Sequence, residues 1–163
     1  MVTFSRSGRL AALLTCTLLL GGCGITIPAD PDGTLDAIRR SGELTVGVSA
    51  HPPFTTLPET PDGPPGGTEV ELLTGFAASL GAEPVWVLGG EEELARQLEE
   101  GQIDVLVGGL TDKNPHLTAL GATRPYVTTP ERGTQTKHVM AVVPGENALL
   151  SALERYLDGE GQG

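Results

Sequence analysis

Four short apolar runs punctuate the chain: "ELTVGVSA" (Glu43 to Ala50), "PVWVL" (Pro84 to Leu88), "IDVLVGGL" (Ile103 to Leu110) and "HVMAVV" (His138 to Val143). Segments of helical periodicity lie between and after them. This alternation constrains the fold more than any other feature, because strands alternating with helices pack as a mostly parallel sheet with helices on both faces. The last two runs are continuous enough for strands covered on both sides. The helical segments are "LDAIRRSG", with Leu35 and Ile38 one turn apart and Gly42 as a stop, and "EVELLTGFAASLG", with Leu73, Phe76, Ala77 and Leu80 on one face. "EEELARQLEEG" follows, with acids in its first turn and Leu94 and Leu98 as anchors. "NALLSALERYL" closes the series, with Asn147 as N-cap and Leu149, Leu150, Leu153 and Leu157 as its buried face.

Right-handed crossovers put the first strand between the second and the third. Ligands in such sheets bind beyond the carboxyl ends of the strands, at the switch point. That singles out two segments. One, after Val48, is "HPPFTTLPETPDGPPGGT", whose six prolines exclude regular structure. The other, after Val107, is "GGLTDKNPH".

The N-terminus reads as an export leader. Arg6 and Arg9 precede the apolar stretch Leu10 to Leu20, which has signal-peptide length and is too short for a bilayer span of about 20 residues. "LGGC", Leu20 to Cys23, has the form of a bacterial lipobox, with the Cys23 thiol as acceptor of a diacylglycerol. Residues 1–22 are then leader, 23–33 tether, 34–158 the folded domain and 159–163 a flexible tail. Formal net charge is -11, and losing two arginines and no acid with the leader makes it -13. With no basic cluster either, nucleic acid is excluded as a partner. Cys16 leaves with the leader, so no intrachain disulfide is available and the core alone must supply stability.

Taken together and in order, "LDAIRRSGELTVGVSAHPPF", "GTEVELLTGFAASLGAEPVWV", "LARQLEEGQIDVLVGGLT" and "TRPY" resemble the amino-acid-type (family 3) extracellular solute-binding proteins of ABC transporters. The resemblance implies a type 2 periplasmic binding protein fold, two lobes closing on a small solute. It also implies that lobe 2 is inserted after the "PY" segment, here Pro125-Tyr126. The returning strand and helix of lobe 1 resemble "KHVMAVVPGENALLSALERYL", so only a short run, about Thr128 to Lys137, stands where the family has a domain of about 90 residues. The expectation is lobe 1 alone, with that run as a short surface connection and Val139 to Val143 as a strand of the main sheet.

The resemblance also assigns site residues. Phe54 matches the aromatic that stacks on the ligand; the alternative is that it pins the proline-rich loop to the lobe. Gly109, Leu110 and Thr111 match the "GLT" loop, which offers backbone N–H groups and a hydroxyl to a ligand carboxylate; the alternative is a glycine turn with Thr111 as a helix cap. The arginine that forks the α-carboxylate falls on His116, which lacks the fork. An α-amino-acid ligand is thereby in doubt, while Thr111 with His116 could still hold a weaker or uncharged solute. Glu69 and Glu71 are explained by the helix dipole. No nucleophile is paired with a base, no phosphate loop or G-x-S-x-G is present, and His51, His116 and His138 lack metal-ligand spacing. The reading is a non-enzymatic module with no cofactor or metal, lipid-anchored outside the cytoplasm. Its partners would be a small polar solute and an ABC permease or other envelope protein. The alternative is a protein-protein interaction module without a small ligand.

Overall fold

The structure, a computed structural model, describes residues 32–60, 63–131 and 133–160. Helix α1 (Thr34–Ser41) leads into β1 (Glu43–Val48), and the proline-rich loop then reaches α2 (Thr68–Ser79). β2 (Glu83–Leu88), α3 (Glu91–Glu99) and β3 (Val105–Val107) follow. A 3-10 turn (Pro115–Thr118), β4 (Gly121–Ala122), β5 (Val127–Glu131), β6 (Thr134–His138), β7 (Ala141–Val142) and α4 (Asn147–Glu160) complete the chain. α1 stops where expected: Gly42 takes φ 75 and its N–H donates back to the Ile38 carbonyl. α4 runs on through Gly159 and Glu160, two residues that the sequence reading gave to the tail.

The sheet has five strands in the order β2-β1-β3-β7-β4. β1 pairs in parallel with both β2 and β3, so the first strand does lie between the second and third. β7 is antiparallel to β3 and to β4. Four strands therefore share one direction and β7 alone opposes them. Val139 to Val143 enters the main sheet, as its apolar character requires, although only Ala141 and Val142 form the strand proper.

Alternating side chains send the two faces of the sheet to different helices. Val46, Val105, Val107, Met140 and Val142 meet α1, α2 and α4 through Leu35, Ile38, Leu73, Phe76, Leu149, Leu153 and Leu157. Leu106, Val139, Ala141 and Val143 meet α3 through Leu94 and Leu98. Gly47 is required on this second face: a Cβ there would lie 2.5 Å from the Ile103 Cδ1. The far end of the chain also holds the near end, since the buried Glu146 carboxylate accepts from the amides of Asp32 (3.0 Å) and Thr34 (3.1 Å) at the start of α1.

The run Thr128 to Lys137 is not an irregular connection. It is most of an antiparallel hairpin, β5 with β6, paired from Val127 with His138 to Glu131 with Thr134. Threonines at 128, 129, 134 and 136 suit a pleated ribbon with solvent on both sides, and Gly133, at φ 81, serves the turn. Pro130 is tolerated because a two-stranded ribbon has only edge strands.

Candidate functional site

The carboxyl ends of β1 and β3 form a corner organised by Glu69, a residue with no exposed surface. Its Oε2 accepts from the N–H groups of Gly108 (3.0 Å) and Gly109 (2.9 Å), and its Oε1 from the Tyr126 hydroxyl (2.7 Å). Burial raises the Glu69 carboxyl above the usual glutamate range, against the opposing pull of the Gly109, Tyr126 and Gly108 hydrogen bonds and of His138. The Tyr126 phenol is likewise pushed up, by burial first and then by the Glu69 charge. Gly109 sits at φ 63, and a Cβ there would press on the rings of His51 and Phe54. The dipole reading of Glu69 was therefore incomplete. The residue spans the gap between α2 and the turn after β3, and no local pattern in the sequence signals that.

Phe54 is 8% exposed and packs into this corner. One neighbour is the His138 ring, centroid to centroid 4.2 Å, and another is the His51 ring at 5.9 Å. His138, at the end of β6, is fully buried. Its Nδ1 lies 3.2 Å from the Gly109 carbonyl oxygen and its Nε2 2.8 Å from the Thr129 Oγ1. Because a carbonyl can only accept, Nδ1 carries the proton; Nε2 faces the Thr129 hydroxyl, with the Glu131 Oε1 3.7 Å away. The sequence marks His138 as the first residue of a strand and as a histidine without metal-ligand spacing, and neither feature signals this role.

Of the three "GLT" positions, Gly109 has its amide engaged by Glu69 and Leu110 is 2% exposed. The Leu110 and Thr111 N–H groups and the Thr111 hydroxyl donate to no acceptor among the described residues. Thr111 lies opposite His138 in a β-bridge, flanked by bonds from Val139 N to Leu110 O and from Asp112 N to Lys137 O. Thr111 does not cap the 3-10 turn; Asn114 does, accepting from the His116 amide at 2.9 Å. The Asn114 amide group also donates to Glu91, tying this loop to α3. His116 consequently lines an open groove of about 750 Å³ against α3, facing Glu92, Glu93 and Arg96. The structure brings Phe54, Gly109 and Thr111 together around His138 and gives His116 a different neighbourhood.

Residues 44–159 match the bacterial extracellular solute-binding proteins, family 3. The chain belongs to this family. Its proteins are extracytoplasmic, and no helix among the described residues is long and apolar enough to cross a membrane. The solute-binding domain superposes on the arginine-bound form of domain 1 from TmArgBP with TM-score 0.68 and 29% identity, covering 76% of this chain and 98% of that one. An ancestral cationic amino acid solute-binding protein, AncCDT-1, shares the fold at TM-score 0.69 and 16% identity, covering 79% of this chain and 94% of that one. Among curated proteins the domain is 42% identical over 108 residues to membrane-bound lytic murein transglycosylase F of Maricaulis maris. It is 33% identical over 105 residues to the protein of that name from Vibrio cholerae. These matches cover 64% and 62% of this chain but only 23% and 18% of those proteins, so what is shared is their solute-binding-like part. The expected single lobe of a type 2 periplasmic binding fold is what the structure and its neighbours show.

Proposed function

We propose that the chain is a lipid-anchored module that binds or senses a small polar solute at the turn after β3, with an ABC permease or another envelope protein supplying the facing wall. The observation that carries this reading is the set of donors at Leu110 and Thr111, two amides and a hydroxyl without acceptors among the described residues, at the carboxyl end of β3. Domain 1 of TmArgBP, arginine-bound and covered almost end to end, supports the idea that one lobe suffices to hold a solute. Binding is weak, because a lone lobe leaves one side of the ligand wet. The module is not an enzyme on this reading: the transglycosylase name belongs to proteins of which it spans less than a quarter. The anchor, Cys23, lies outside the described residues.

In calorimetric titrations of amino acids and small organic anions, one of these probes binds, and Thr111→Ala weakens it about fivefold through loss of one hydrogen bond of about 1 kcal/mol. His116→Ala leaves the same titration unchanged. Tight binding indifferent to Thr111→Ala would place the solute elsewhere. The second reading, an interaction module with no small ligand, draws on the way His138 fills the Phe54 corner. It gains if none of the probes binds.

For the anchor, the wild-type chain fractionates with membranes, and Cys23→Ser either frees the protein or leaves it unprocessed. Diacylation together with N-acylation suffices for stable attachment. A wild-type protein that is soluble and cleaved at another residue would refute the lipobox reading.

A further inference from the structure

We propose that the corner between Phe54 and the Gly109 carbonyl is a binding place for a flat, N–H-bearing ring, and that the chain fills it with its own His138. The hairpin has almost no buried surface of its own: of the ten residues in β5 and β6, His138 alone is buried. A residue that only had to anchor a ribbon would serve best as an aliphatic one, since a buried polar ring costs stability unless its nitrogens are paired. His138 has both nitrogens paired, one to the lobe and one to the hairpin. The recognising features, a Phe54 face and an acceptor oxygen, belong to the lobe. Glu69 holds the Gly108 and Gly109 amides of the same turn from the other side, and the Leu110 carbonyl that follows accepts from Val139 N. The ring therefore fills a corner whose face and acceptor the lobe supplies.

Only one link depends on the solute-binding reading above: the vacated ring place should be continuous with the Thr111 donors, because His138 and Thr111 are bridge partners.

The test uses the purified full chain at about pH 8, where imidazole is mostly neutral. In His138→Gly, imidazole at tenfold excess over its dissociation constant raises the melting temperature by about 4 °C or more, while the wild type does not respond. Imidazole-4-acetate, which adds a carboxylate for Thr111, binds His138→Gly at least tenfold more tightly than imidazole does. No shift in His138→Gly, or an equal shift in the wild type, overturns the proposal. If imidazole binds and the carboxylate adds nothing, the ring place stands and the solute reading at Thr111 fails. Should His138→Gly not fold, nitrogen-15 spectra of wild-type histidines decide. The proposal requires an Nδ1–H tautomer with a slowly exchanging proton, and an Nε2–H tautomer would overturn it.

Discussion

Deleting Val139 to Gly163 abolishes the cooperative melt of the domain. The deletion removes β7, which lies inside the sheet between β3 and β4, so β4 loses its pairing with β7 and β3 becomes an edge. It removes α4, whose Leu149, Leu153 and Leu157 fill the face shared with α1 and α2. Truncating one buried leucine costs about 2–5 kcal/mol, so three leucines rival the whole stability of a small domain, about 5–15 kcal/mol. It also removes Glu146, which satisfies the first amides of α1. A remnant broken off after lobe 1 would carry these residues as a dispensable tail. Circular dichroism on heating separates the cases: an unchanged sigmoidal melt in the shortened chain would mean that the C-terminal strand and helix are not part of the lobe.

The sequence revealed the layered α/β order because each helix has an apolar face and a glycine or cap at its boundary, signals that survive without tertiary context. It placed β1 centrally because crossover handedness leaves little choice. β4 escaped notice because Gly121 and Ala122 are too few to show a period, and because β7 pairs with it from a distance in sequence. The hairpin escaped because both its faces meet water, so its strands carry no apolar alternation and resemble a polar loop. The site was half legible. Phe54, Gly109, Leu110 and Thr111 lie around the carboxyl ends of β1 and β3, the segments that the strand order singles out. His138 and Glu69 did not stand out, since a histidine at a strand end and a glutamate in a first helical turn are ordinary on local grounds. Their role follows from partners as far as 57 residues distant.

Glu69→Ala destabilises the domain by about 2–6 kcal/mol. The variant strands the Gly108 and Gly109 amides, both buried, and an unpaired buried donor costs about 1–3 kcal/mol. It also frees the turn that carries the Gly109 carbonyl, so the Phe54 corner loosens along with the sheet end. Glu69→Gln behaves differently, because its amide oxygen can still accept from both glycines and its size is unchanged. The comparison of wild type with Glu69→Gln then isolates the charge. Burial holds the folded-state carboxyl above its ordinary range, so the folded chain binds the proton more readily than the unfolded one. The stability this contributes is complete below the ordinary glutamate pKa and is lost as pH rises through the folded value. Asp104 is raised in the same sense by burial, but it is common to both proteins and cancels. Wild type should therefore gain stability relative to Glu69→Gln as pH falls from about 7 toward 5. Urea midpoints for the two proteins across that range give the answer. A difference that stays flat, or one that moves the other way, would mean that Glu69 is comfortable as a buried anion, and that its amide partners outweigh the cost of desolvation.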